Sequence, residues 1–463
     1  MAEQVEGGAT SSNDKSQDEK TDTADAYIFV LFDGTNNNKY NIREYRQWQK
    51  IGLDEESLKE LFKKRKSGQI EYSNVARLSN ICKTDESSPS LKVSYIYVDG
   101  IGTSIQSDST GGQAVGTGNL GVDAKVQKGC ELVVERLNDM FRSCDKPYDV
   151  TLHLAVTGFS RGAAAARRFV SCLEKNQGQK SAYNVCLQSH MDKLNSALTL
   201  KETEVPILGL YDTVSSYGIS KTLMSSAKLP KILLKALANN VKELSLNKLE
   251  NAKKVVQLCA ADEYRLHFAL TKVKDGGNSK NYIIPGCHSD VGGGILDNEV
   301  EEYRMNCIKK HLTFIKLGNG NKTRNELLDE GWFTEKEMGA GARVVSNKYS
   351  FIPFKYMLEK ALKANLSSVK SKLFDDTKRR TLKYGEEAWR NDRKMKKEDR
   401  AILDKFRNYV MGETNLYQFP KISEYKLNQA DIKKLRHRFI HLSATFSLVN
   451  AASTSNERVI VDG

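Results

Sequence analysis

The chain has 463 residues, a formal net charge of +13, 39% hydrophobic and 28% charged residues. That length can bury a substantial core, and the composition suits a soluble protein with no apolar run near the roughly 20 residues a membrane-spanning helix needs. Eight cysteines lie scattered with no CxxC pair, which excludes a zinc-ribbon or disulfide-framework reading and leaves reduced thiols. The basic excess favours an anionic partner such as a phospholipid surface or an acidic protein. No nucleic-acid motif with interleaved aromatics stands out.

In chain order, residues 1–25 are polar or small and are expected to form a disordered tail without the apolar core of a signal peptide. Tyr27–Phe32 reads as the first strand, ended by Asp33-Gly34-Thr35-Asn36-Asn37. Val93–Val98 reads as the second, followed by Asp99-Gly100-Ile101-Gly102-Thr103 and a Gly- and Ser-rich loop from 104 to 121. A helix is expected over 122–142, then a strand over Val150–Thr157. Another strand, Val205–Leu210, ends in Tyr211-Asp212-Thr213. The stretch 215–260 holds a lid or helical insertion in this reading; its helix at Pro230–Leu246 carries Leu233, Leu237, Val241 and Leu244 on one face, a stripe that suits core packing ahead of a lid or membrane contact. Strands resume at Tyr264–Lys272 and Tyr282–Ile284, the latter running into Pro285-Gly286-Cys287-His288-Ser289-Asp290-Val291-Gly292-Gly293. Helices and strands alternate, so the fold class is α/β: a mostly parallel sheet flanked by helices, as in α/β-hydrolases. The domain reading is a core at 26–310, an accessory helical region at 311–430, and a C-terminal segment at 431–463 that packs back on the core.

One string carries chemistry by itself. Gly158-Phe159-Ser160-Arg161-Gly162 is a G-x-S-x-G elbow, placed between an apolar strand and the helix-forming run Ala163–Ala166. A serine hydroxyl needs a base, and the base needs an orienting carboxylate. Of the seven histidines, His288 alone follows a strand end inside a glycine-rich loop, which makes it the best base. His153 reads as a core residue, His190, His311 and His437 as surface residues, His441 as packed in the apolar tail, and His267 lies mid-strand. Asp212 is the favoured acid, since Ser160, Asp212 and His288 then follow in α/β-hydrolase order; Asp262 and Asp290 are weaker rivals, Asp290 being suited to bracing its own loop. The oxyanion hole would use the backbone N–H of Arg161 and one from Gly34 or Thr35, with Gly100–Thr103 in reserve. Asp33-Gly34-Thr35 also echoes the D-x-D-G-T of haloacid-dehalogenase-like phosphatases, but Leu31 stands where the nucleophilic carboxylate would be. The H-x-D of the His288 loop suggests metal or phosphate, yet no other ligand cluster supports it, so neither metal nor cofactor is expected.

Four motifs then occur in register: Phe32–Asn37, Gly158–Ala163, Gly209–Val214 and Pro285–Gly293. Together they resemble the bacterial α/β-hydrolase family that contains the type VI secretion lipase effectors of the first class. The resemblance covers about residues 27–300, and stretches around His437–Ser443 and Arg458-Val459 also look similar. It implies that Ser160 is the nucleophile, Asp212 the orienting acid and His288 the base of a metal-free hydrolase that cleaves acyl esters of glycerophospholipids. It implies an antibacterial toxin made in the cytoplasm without a signal peptide, carried by a secretion spike protein into the target cell's periplasm or membrane surface, and neutralised in the producer by an immunity protein. Two alternatives stay open: an esterase unconnected with secretion, and a non-catalytic module that keeps the fold and binds through its basic face.

Overall fold

The computed structural model describes residues 21–108, 118–144, 146–175, 182–215, 241–265, 268–302, 323–366, 397–412 and 428–443, with scattered residues between 369 and 396 and at 458–462. The strands are β1 (Asp22–Phe32), β2 (Leu91–Val98), β3 (Tyr148–Phe159), β4 (Leu198–Tyr211), β5 (Val255–Ala260), β6 (Leu270–Lys272), β7 (Ser279–Ile284), β8 (Glu299–Glu302), β9 (Ala342–Val345) and β10 (Ile460–Asp462). Six of them form one sheet in the order β2-β1-β3-β4-β5-β7, and every neighbouring pair runs parallel. The expected mostly parallel α/β sheet is therefore what the chain builds.

The register decides where chemistry can occur. Phe32 pairs with both Val98 and Gly158, Phe159 with Tyr211, and Tyr211 with Leu258. Asp33, Asp99, Ser160 and Asp212 thus leave the sheet at a common carboxyl edge. Strand order reverses at β1, with β2 on one side and β3 onward on the other. Parallel sheets open a crevice at such a reversal, and Ser160 lies beside it.

The sheet is buried on both faces. Ile28, Val30, Phe32, Leu154 and Val156 point to one cluster, which the helices Val122–Met140 and Arg161–Ser171 cover. Phe29, Leu31, Ala155 and Phe159 point to the other, where Val75, Leu78, Ile352, Phe354, Met357, Phe406 and Leu435 meet them. The described helices at Phe351–Ala361, Lys397–Met411 and Gln429–Phe439 thus share one apolar cluster with the sheet. Period-2 alternation along each strand drives this two-sided packing.

Several boundaries differ from expectation. β1 starts at Asp22 because Asp22–Asp25 pair with Tyr148–Thr151, and backbone pairing at a strand's entry tolerates polar side chains; residues 1–20 lie outside the described residues. Within 215–260, Val255–Ala260 is not lid or helix but β5, a strand buried at every residue between β4 and β7. Residues 216–240, with Leu233 and Leu237, lie outside the described residues, while Val241 and Leu244 are buried. Within the strand expected at Tyr264–Lys272, Leu270–Lys272 is the described stretch that forms a strand, and it pairs with β10. The seven described cysteines form no disulfide.

Candidate active site

Ser160 ends β3 with φ 58° and ψ −128°, a backbone conformation costly for any side chain except glycine. The turn closes only because glycines flank it. A Cβ on Gly158 would meet Gly162 O at 2.4 Å, and one on Gly162 would meet Asp33 O at 2.1 Å. Ser160 N–H donates to Tyr211 O at 3.0 Å, and Ser160 O accepts from Ala163 N at 3.0 Å, so strand pairing and the first helical turn hold the strain between them.

Asp212 leaves β4 with φ 48° and is fully buried. His288 opens the short helix His288–Gly292, and its Nδ1 lies 2.6 Å from Asp212 Oδ2. The other oxygen, Oδ1, accepts from Ala260 N at 2.8 Å. Burial alone would raise the Asp212 carboxyl; the Arg458 charge and the His288 hydrogen bond override it and hold it at about 2. Burial pulls the His288 imidazole below its ordinary value, with Asp212 pushing back.

The ring of Phe159 links the elbow to the imidazole. It lies tilted by 33° against the His288 ring, 4.7 Å centre to centre, while Phe268 meets His288 edge-on at 5.0 Å. A Cβ on Gly292 would meet the Phe159 ring at 1.9 Å. Gly292→Ala is therefore expected to destabilise the fold by about 1–3 kcal/mol through overpacking, read as a lower urea midpoint, with a loss of activity as His288 is displaced.

The Asp33 loop faces the elbow across the sheet's reversal. Its carboxylate accepts from Tyr97 Oη at 2.5 Å, Ser73 Oγ at 2.5 Å and its neighbour Gly34 N at 2.7 Å. Burial lifts Asp33 to about 6 against these donors. The Gly34 N–H donates to Asp33, a short aspartate closing the turn on its own neighbour's amide. Ser73 also caps the helix Asn74–Ile81 and pairs with Gly293, so the Asp33 and His288 loops are bound to one another.

The rival carboxylates have other partners. Asp290 accepts from Cys287 N, His441 N and His441 Nδ1 at 2.9, 3.0 and 2.6 Å, bracing the loop as expected of it. Asp262 accepts from Gly286 N at 2.8 Å and from Arg436. His441 is buried, as expected of a packed residue. His190, expected at the surface, is buried with Nε2 at 3.0 Å from Asn184 O, and His437 is half-buried against Glu337. His153, expected in the core, sits between Asp25 and Glu204 and stacks on Tyr27 at 4.2 Å. His267 and His311 lie outside the described residues.

Residues 169–360 match a family model described as "T6SS, Phospholipase effector Tle1-like, catalytic domain". The chain resembles the Tle1-like effectors. The matched stretch contains Asp212 and His288, while Ser160 lies just before it. A solved structure described as the Tle1 effector bound to the VgrG spike from the type 6 secretion system superposes with a TM-score of 0.57 at 19% identity, covering 96% of this chain and 95% of that one. An uncharacterized protein from Pseudomonas aeruginosa covers 84% of this chain and 52% of its own at 17% identity, with a TM-score of 0.37. No curated protein matches the chain. The Tle1-like fold thus spans nearly the whole chain.

Residues that sequence reasoning missed surround the Asp212–His288 pair. Glu263 accepts the His288 N–H at 3.2 Å and a hydrogen bond from Ser443 Oγ at 2.9 Å, and it is paired with Arg265 at 2.8 Å. Burial would raise Glu263, but Arg265 first and Arg458 after it hold it at about 2. Glu263 sits next to the rival Asp262, so strand-end position marked the neighbourhood but not the residue. Arg458 lay in a stretch noted only for its likeness to the family, with no role attached; it approaches Asp212 from 246 residues away.

Proposed function

We propose that the protein is a serine-dependent phospholipase that cleaves acyl esters of glycerophospholipids and acts as an antibacterial effector of type VI secretion. The observation that carries the chemistry is the buried Asp212–His288 pair at the sheet edge where the strained Ser160 elbow opens. In this reading His288 Nε2 takes the Ser160 proton, Ser160 Oγ attacks the ester carbonyl, and Asp212 keeps Nδ1 protonated and stabilises the imidazolium. The N–H groups of Arg161 and Thr35 hold the oxyanion. His288 then protonates the departing lipid alcohol, and water attacks the acyl-serine by the same route.

The family match supports phospholipid as substrate. The spike-bound Tle1 structure supports a spike protein as carrier, and a toxin carried this way requires an immunity protein in the producer. Fatty acid and lysophospholipid should appear when the protein meets phospholipid vesicles, read by mass spectrometry. Intact vesicles after prolonged incubation, with binding retained, would instead support the non-catalytic basic module.

The base must be neutral to work. With His288 drawn below its ordinary value of 6.5, activity should hold at pH 7 and fall only as pH drops through a midpoint below 6.5. The kcat/KM profile on a soluble ester reads that limb.

A further inference from the structure

Asp212 receives more donors than a base-orienting carboxylate needs. Arg458 Nη1 donates to its Oδ1 at 2.7 Å and Nη2 to its Oδ2 at 2.8 Å, a fork-on-fork pair. The same two nitrogens reach onward, Nη1 to Ala260 O at 2.7 Å and Nη2 to Phe268 O at 3.0 Å. One guanidinium therefore joins the turn after β4, the end of β5 and the approach to β6. Its own position comes from β10, which pairs parallel with β6 from Ile460↔Leu270 to Asp462↔Lys272. β6 in turn is bound to the Asp212 turn through Thr271 N to Thr213 O at 2.9 Å and Thr271 Oγ1 to Ser215 Oγ at 2.6 Å.

We infer that Arg458 is a positioning residue of the reaction: by holding both oxygens of Asp212 it fixes the direction in which Oδ2 meets His288, so hydrolysis requires the 458–462 segment to be docked on β6. The inference rests on the assignment of Ser160, Asp212 and His288 proposed above. Apolar residues could fill such a buried site without the desolvation cost of an ion pair, so stability alone does not call for an arginine there. What a guanidinium adds is direction, because its planar fork fits only one orientation of the carboxylate. Without Arg458 the carboxylate would keep a single donor on each oxygen, the Ala260 N–H and the imidazole, and would be held less firmly.

Arg458 also sets charge. The charged groups facing His288 are Asp212, Glu263 and Arg265, and those facing Asp212 are His288 and Arg458, with the Cys259 thiol nearby. Arg458 and Arg265 balance the two carboxylates, so the neutral imidazole completes a neutral site. Removing Arg458 leaves two carboxylates facing one arginine, which favours the imidazolium.

Arg458→Met should lower kcat on a short-chain p-nitrophenyl ester on the order of 10²-fold, the scale of a misplaced reacting group, with KM little changed. Its acid limb should move to higher pH. Arg458→Lys, which keeps the charge and loses the fork, should return the limb to its wild-type position and recover part of the rate. A folded Met variant with wild-type kcat and limb overturns the inference. If Arg458→Met fails to fold by circular dichroism, wild-type kcat in Arg458→Lys overturns it instead. Ser160→Ala, run in parallel, separates the layers. If it stays inactive while the Arg458 variants behave as wild type, only Arg458's role falls; if it hydrolyses ester normally, the serine mechanism falls and this inference with it.

Discussion

Ser160→Ala is expected to lower kcat for ester hydrolysis on the order of 10⁶-fold, the scale seen when a triad nucleophile is removed. The change deletes one oxygen and keeps the Cβ, so the unusual backbone at residue 160 costs the variant no more than the wild type. The elbow hydrogen bonds to Tyr211 and from Ala163 use only backbone atoms and survive. Thermal unfolding should therefore match wild type while labelling by a fluorophosphonate probe disappears. Retained labelling in the alanine variant would show that another residue is the nucleophile. Equal loss of stability and activity would show that the serine matters for the fold rather than the reaction.

Asp212→Asn should be nearly as severe in rate and far worse in stability. An amide has one acceptor oxygen, whereas the Asp212 site presents donors on both sides: Ala260 N and Arg458 Nη1 at Oδ1, His288 Nδ1 and Arg458 Nη2 at Oδ2. Whichever way the amide turns, its NH₂ faces a donor. If it faces His288, the imidazole must move its proton to Nε2 and can no longer accept from serine, a change of about 10⁴-fold in kcat where the same substitution is known in serine proteases. Arg458 is left buried with an uncompensated charge, which costs about 3–5 kcal/mol. The urea midpoint and kcat should fall together. A pH scan adds a check of sign. The Asp212 carboxyl sits at about 2 in the fold and near 3.9 when unfolded. Its contribution to wild-type stability is complete above about pH 4 and drains away as pH falls toward 2. The asparagine variant should lack that part of the acid loss.

Much of the site was legible because parallel sheets put function where strands end. Each of Ser160, Asp212 and His288 follows a short apolar run and neighbours a glycine or a turn residue, and the structure joins Asp212 to His288 directly. The Asp33 loop was legible by the same logic, but that the side chain of Asp33 accepts from Gly34 N–H is a contact only coordinates reveal. β5 was overlooked for a different reason. Six buried residues beside a helix-prone stretch carry no period that separates strand from helix, and only pairing with β4 and β7 decides it. The helices beyond residue 323 read as accessory from their charge, but a helix with one apolar stripe takes its role from what the stripe meets. Here Ile352, Phe354 and Met357 meet the sheet.

By itself, then, the sequence determined the G-x-S-x-G turn, the strand-end placing of Ser160, Asp212 and His288 and the α/β class, since these depend on local turn chemistry and on apolar periodicity within a dozen residues. Only the tertiary structure decided which groups hold Asp212. Arg458 and Asp212 are 246 residues apart, and no local spacing can say that two such stretches meet. It exists because β10 finds an open edge on β6, and the pairing of those two short strands carries a guanidinium into the centre of the site.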